Sequence, residues 1–251
     1  MEQNLVKENE RVDDLQINGL KIIQEPNGFC FGIDAVLLVN FTKVKKNAKV
    51  VDLGTGTGII PILLAGKTKL EKAYGIEIQE EVADMANRSV LLNNLQDRVE
   101  IINADLKEID TILKPNMFNV ITSNPPYMDG KDIINENTKK AISRHEVKCD
   151  LNDVMRVASR LLMNGGSFFM VHRPSRLADI ICLARQYNLE PKYLRFVHSR
   201  ASKAPNLILI QFTKGGRPEL KIMNPLYIYE EDGSYTSEIQ AIYDARKLEE
   251  E

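Results

Sequence analysis

From Lys49 onward the chain alternates between two kinds of apolar run. AKVVDL, KAYGIEI, RVEIIN, FNVITS and SFFMVH are short and nearly continuous, as strands covered on both faces should be. IIPILLA, EEVADMANRSVLLNNL, LNDVMRVASRLLM and RLADIICLARQYN read as helices. In the second of these, Val82, Met85, Ala86, Val90 and Leu91 recur close to helical spacing. LNDVMRVASRLLM runs into Asn164-Gly165-Gly166, a C-cap signal. Strand and helix in alternation predict an α/β fold with a doubly wound, mostly parallel sheet. The last two apolar runs, YLRFVH and NLILIQF, have no helix between them and are expected to pair as an antiparallel hairpin. Ahead of Lys49, LQI and LKIIQ flank Asn18-Gly19, a hairpin-turn signal, and Asp34 opens the short helical run AVLLVNF. The expected divisions are an N-terminal extension with a β-hairpin over 1–31, the main domain over 32–229, and an acidic tail of helical character over 230–251. Residues 1–14 are charged and expected to fray. Residues 128–149 show no period and read as a mobile loop.

Composition narrows the class. A chain of 251 residues, 43% hydrophobic and 27% charged, fits one large α/β domain with an ordinary core. No apolar run approaches the ~18 residues of a membrane span, and the polar N-terminus is no signal peptide. Cys30, Cys149 and Cys182 are odd in number and widely spaced, which suits free thiols in a reducing, cytoplasmic compartment. His145, His172 and His198 lack zinc spacing, so no metal is expected. A net charge of -2 does not hold nucleic acid by bulk attraction, so any such contact needs a local patch. Lys192, Arg195, Arg200, Lys203, Lys214 and Arg217 fall between Pro191 and Pro218 with no acidic residue among them. The plain alternative for that stretch is a solvated face.

Asp52-Leu53-Gly54-Thr55-Gly56-Thr57-Gly58 lies between a predicted strand and a predicted helix. Glycine there permits a tight turn and close approach of a ligand to the backbone. A phosphate-binding GxxxxGK[ST] loop is absent. A dinucleotide fingerprint would need glycine at 59, where Ile stands. An acidic residue before Gly54, Gly56 and Gly58 matches the pattern of class I S-adenosylmethionine methyltransferases. The physical distinction is charge. A dinucleotide sets an anion on the helix N-terminus, whereas S-adenosylmethionine carries sulfonium and ammonium cations, which suit the Asp52 carboxylate. Glu77 ends the second strand, 19 residues past Gly58, where an acidic residue hydrogen-bonds ribose hydroxyls. Asp105 ends the third and can accept from an adenine amino group. A lone carboxylate at a strand end is usually just solvated. Three at successive strand ends mark the edge where such sheets bind ligands.

Asn124-Pro125-Pro126-Tyr127 follows the fourth strand at the same edge. Taken alone it is a turn. An exocyclic or amide nitrogen, however, is a weak nucleophile because its lone pair is delocalised. The Asn124 side-chain oxygen and the Pro125 carbonyl can accept its two hydrogens and free that lone pair. Two prolines preorganise these acceptors, and Tyr127 offers a flat face for a base. A paired base cannot reach such a pocket, so the target must be unstacked.

With these residues in view, Asp52–Gly58 and Asn124–Tyr127 resemble motifs I and IV of N6-adenine and related amino methyltransferases. The segment from Phe29-Cys30-Phe31-Gly32-Ile33-Asp34 to Leu38 is similar to the N-terminal motif of the bacterial tRNA1(Val) adenine-N6 methyltransferases. Arg11–Leu15 and Ser143-Arg144-His145-Glu146 resemble that family too. The resemblance covers nearly the whole chain. It implies a seven-stranded sheet with the last strand antiparallel, S-adenosylmethionine as cofactor, and an adenine beside the anticodon of a valine tRNA as target. Phe29, Phe31, Gly32 and Asp34 would close over the cofactor. Arg144, His145 and the basic residues Lys192, Arg200, Lys203, Lys214 and Arg217 would meet tRNA. A monomer is expected.

Four rivals stand beside this reading. A glutamine N5-methyltransferase or an rRNA guanine-N2 methyltransferase shares the Asn-Pro-Pro-Tyr signature. The former family carries a helical domain ahead of the catalytic one, and only 28 residues precede Phe29 here. An RNA-binding module on the same fold would have no need for paired acceptors at Asn124 and Pro125. A nicotinamide oxidoreductase is disfavoured by the missing third glycine.

Overall fold

The computed structural model describes residues 5–28, 31–126 and 150–244. Its centre is a mostly parallel sheet built from β3 (Lys49–Leu53), β4 (Lys72–Glu77), β5 (Val99–Asn103), β6 (Phe118–Ser123), β7 (Leu162–His172), β8 (Leu189–His198) and β9 (Pro205–Lys214). From one edge the order is β5-β4-β3-β6-β7-β9-β8. β9 runs antiparallel to both neighbours, so the final hairpin forms as expected. These are the seven strands of the anticipated sheet. β10 (Lys221–Ile222) and β11 (Leu226–Tyr227), each two residues long, add to the outer side of β8 and bring the sheet to nine.

Alternation along each strand sends side chains into two cores. Val50 of β3 joins the core under α1 (Ile33–Phe41), α2 (Ile59–Lys67) and α3 (Glu80–Leu92). Val51 and Leu53 join the other, under α4 (Leu151–Leu161) and α5 (Leu177–Gln186). Phe118, Phe168 and Phe212 anchor the second core, and each contributes about 1.5–3 kcal/mol by leaving water.

Four expectations are amended. The N-terminal hairpin pairs β1 (Arg11–Asp14) with β2 (Lys21–Gln24), and the Leu15–Ile17 run lies in the turn. Gln16, Asn18 and Gly19 all take positive φ, which breaks the ladder early while leaving Leu15 and Ile17 buried. The described part of the charged N-terminus is not frayed. The Arg88 guanidinium on α3 grips both Glu10 oxygens, at 2.5 and 2.6 Å, and holds that carboxyl below its usual range. Gly165 and Gly166 do not cap a helix. α4 ends at Leu161 and β7 starts at once, with an irregular register between Phe118 and Val120 of β6. Within 230–244, α6 (Ser237–Tyr243) buries Ile239 and Ile242 in the first core, so this part is docked. The loop expected over 128–149 lies outside the described residues.

Candidate active site

The candidate residues gather at the carboxyl edge of the parallel strands. β3 ends in a loop in which Gly54, Gly56 and Gly58 have φ of 73°, 55° and 84°, a region that side chains other than glycine's rarely tolerate. Gly58 carries a second constraint, since a Cβ there would lie 3.2 Å from Ala86 of α3. The loop is pinned to β4 by Thr55 N donating to Ile76 O (2.8 Å) and Gly56 N donating to Glu77 Oε2 (2.9 Å). Gly75 of β4 makes this close approach possible, because a Cβ there would fall 2.8 Å from the Thr55 side chain.

Asp52 is fully enclosed at the end of β3. Its Oδ1 accepts from Thr122 Oγ1 at 2.7 Å. Its Oδ2 and the neighbouring Thr55 Oγ1 are buried without a hydrogen-bond partner. Burial pushes the Asp52 carboxyl up to about 6, against the pull of the Thr122 hydroxyl and, less strongly, the nearby Thr55 hydroxyl, with Glu77 adding like-charge repulsion. Glu77, also buried, accepts from Gly56 N and, through Oε1, from Gln79 N at 3.0 Å. Asp105 is half-buried, and its Oδ1 caps the turn over Leu106–Thr111 through Lys107 N. The three carboxylates therefore line successive strand ends, with Glu77 and Asp105 also fastening backbone and Asp52 tied to the Thr122 hydroxyl.

Asn124 follows β6 directly. The pairing of Leu53 with Ser123 brings it beside Gly54, and Asn124 and Pro125 are half-buried while Pro126 is exposed. Over the same edge stands the start of α1. Phe31 packs on the first core, and its N donates to Gln24 Oε1 at 2.9 Å. Gly32 precedes the helix, and a Cβ there would meet Asp34 Oδ1 at 2.7 Å. Phe29, Tyr127, Arg144 and His145 lie outside the described residues.

The basic stretch does not form one surface. Arg200 and Lys203 sit in the β8–β9 turn, at the Asn124 edge. Lys192, Lys214 and Arg217 belong to the opposite edge, where Lys214 Nζ is held by Asn116 Oδ1 (2.7 Å) and Leu162 O (2.8 Å). Arg195 is committed to Glu238 of α6 at 2.7 Å. Arg173 and Arg176, just after β7, join Arg200 and Lys203 at the Asn124 edge; lying outside the basic run, they gave no sequence signal. Gly75, Gln24 and Thr122 were also missed, because their roles depend on partners distant in the chain. Ile78, exposed directly after Glu77, escaped notice as an ordinary strand end. A cavity of about 230 Å³ lined by Leu37, Phe41, Arg195, Leu209 and Ile242 lies between α1, the β8–β9 hairpin and α6, away from this edge. Among the described residues no acidic, histidine and cysteine cluster could hold a metal ion, and no helix is long and apolar enough to cross a membrane.

Strand order with an antiparallel β9, a glycine loop after the first parallel strand and acidic ends on the next two together define a class I S-adenosylmethionine methyltransferase fold. The chain belongs to the methyltransferase small domain family, whose model matches residues 19–185. A tRNA1(Val) (adenine(37)-N6)-methyltransferase of Bacteroides thetaiotaomicron is 29% identical over 72% of this chain and 76% of its own length. One from Tolumonas auensis is 26% identical over 85% and 87%. Among solved structures, a predicted O-methyltransferase of Agrobacterium tumefaciens superposes with a TM-score of 0.69 at 24% identity, covering 85% of this chain and 96% of that one. At that identity the likeness establishes the fold alone.

Proposed function

We propose that this protein transfers a methyl group from S-adenosylmethionine to the N6 nitrogen of an adenine in tRNA, beside the anticodon of a valine tRNA. The observation that carries the chemistry is the half-buried Asn124–Pro125 pair next to Gly54, on the edge that also bears Asp52 and Glu77. The orphaned Asp52 Oδ2 and the open glycine loop suit a cationic ligand. Gly54, Gly56 and Gly58 admit it to the backbone, Glu77 retains lone pairs for a ribose hydroxyl, and Asp105 with Ile78 flanks an adenine ring. Phe31, Gly32 and Asp34 stand over it, with Phe29 proposed beside them.

When bound, the cofactor supplies an electrophilic methyl group. Asn124 Oδ1 and the Pro125 carbonyl accept the two amino hydrogens of the target, which turns its lone pair toward that methyl. Pro126 stiffens the turn and Tyr127 stacks the base. The new N–C bond would form as the sulfur–methyl bond breaks and S-adenosylhomocysteine leaves, and the methylated nitrogen would lose its extra proton to water afterwards, so the reaction is largely positioning and no strong general base is required. Arg200 and Lys203, with Arg173, Arg176 and the family-suggested Arg144 and His145, meet the tRNA backbone. The tRNA reading rests on the names of relatives that span most of the chain. A monomer in the cytoplasm is the accompanying proposal.

The test is transfer from labelled S-adenosylmethionine to bulk tRNA from a strain lacking this gene, followed by nucleoside analysis. Labelled N6-methyladenosine is the expected product. Transfer to rRNA or to a protein glutamine instead would keep the chemistry and overturn the substrate.

A further inference from the structure

We propose that Thr122 is a positioning residue that couples the cofactor loop to the transfer point, by fastening the Asp52 carboxylate at the end of β3 to the strand that delivers Asn124. β3 and β6 are parallel neighbours, with Asp52 opposite Thr122 and Leu53 opposite Ser123. Two side-chain bonds reinforce this last pair of steps. Thr122 Oγ1 donates to Asp52 Oδ1 at 2.7 Å and Ser123 Oγ donates to Leu53 O at 2.9 Å. Both hydroxyl residues are wholly buried, in a strand whose preceding inward residues are Val120 and Ile121. A hydroxyl at such a place is costly unless paired, so its pairing is specific. One residue beyond Ser123 the chain reaches Asn124.

The bond also governs charge. The groups facing Asp52 are Thr55 from the loop, Glu77 from β4 and Thr122 from β6, and Glu77 is the one titratable group among them. It is a like charge. Among the described residues no cation offsets the burial, Asp52 Oδ2 makes no hydrogen bond, and the nearby Thr55 hydroxyl pulls in the same direction as Thr122 but less. The Thr122 hydroxyl is therefore the chief support of the ionised form, which the ammonium group shared by S-adenosylmethionine and S-adenosylhomocysteine favours. Removing it raises the pH at which Asp52 loses its proton. This inference rests on the methyltransferase reading through the identity of the cofactor.

The experiment is titration calorimetry of S-adenosylhomocysteine between pH 5.5 and 9 with wild type, Thr122→Ser and Thr122→Val. Wild-type affinity should fall as the pH drops through about 6. In Thr122→Val that fall should begin about one pH unit higher, since a hydrogen bond to a charged group is worth about that much. Affinity at pH 7 is then several-fold weaker and recovers by pH 9, while Thr122→Ser follows wild type. A valine profile that superimposes on wild type, or a loss of affinity equal at every pH, would overturn the coupling. Thr122→Ala gives the same comparison if the valine variant does not fold. Wild type that binds no S-adenosylhomocysteine at any pH would overturn the cofactor reading itself, and this inference with it.

Discussion

Asp52 shows how the proposed cofactor site is built at the expense of stability. Its carboxyl is raised from the ordinary 3.8 to about 6 by burial, so the folded state prefers the protonated form. Because the folded value lies above the unfolded one, its favourable contribution is complete below 3.8 and is lost as the pH rises through about 6. At neutral pH the ionised group costs about 3 kcal/mol. Asp52→Asn removes that cost and keeps an acceptor for Thr122, and its amide can serve the orphaned Thr55 hydroxyl. The cofactor-free variant should melt several degrees above wild type at pH 8, with the gap closing as the pH falls below 6. It should also bind cofactor more weakly. A variant no more stable than wild type at pH 8 would refute this account. Asn124 is the contrasting residue, with a proposed task confined to the transfer step. Asn124→Ala should lower the rate of methyl transfer at least a hundredfold and leave calorimetric affinity for S-adenosylhomocysteine within about twofold. An active alanine variant would sink the mechanism.

At the scale of elements, a side chain of the N-terminal hairpin reaches the segment beside the proposed cofactor edge. Gln24, wholly buried at the end of β2, donates to Asp13 Oδ2 and accepts from Phe31 N, so it ties β1, β2 and the lead-in to α1 together. Gln24→Leu keeps the volume and removes both bonds. It should cost about 1–3 kcal/mol in denaturant unfolding and weaken cofactor binding as the Phe31 segment loosens. Unchanged affinity would show that this segment does not depend on the hairpin. What was legible in the sequence follows the same division. The run Asp52–Gly58, the acidic strand ends and Asn124–Pro125 were readable because each is a local pattern at a strand terminus. Gln24, Gly75 and Thr122 were not, since a buried glutamine, a strand glycine and a strand threonine gain meaning only from partners tens of residues away. Gly165-Gly166 misled for a related reason. The pair suits a helix end, but Leu162 is claimed first by pairing with Phe118 in the sheet.

Over the whole molecule, the sheet sorts charge that the chain presents as one cluster. β8 and β9 are each ten residues long, so the two ends of their hairpin are separated by about 30 Å. Arg200 and Lys203 fall at the Asn124 edge, whereas Lys192, Lys214 and Arg217 fall at the other. With a net charge of -2, attraction for a polyanion must come from whichever edge the target adenine approaches. The proposed role of Asn124 assigns that edge, and Arg173 lies on it, exposed after β7. The two groups therefore make a controlled pair. Reversing Arg200 and Lys203 to glutamate should weaken tRNA binding and lower the slope of log affinity against log salt by about one for each phosphate no longer neutralised. Reversing Lys192 and Arg217 changes net charge by the same amount and should leave that slope as in wild type. Equal effects would mean that tRNA responds only to total charge. A larger effect at Lys192 and Arg217 would mean that tRNA reaches the pocket across the amino edge of the sheet, a route that no residue at Asn124 supports.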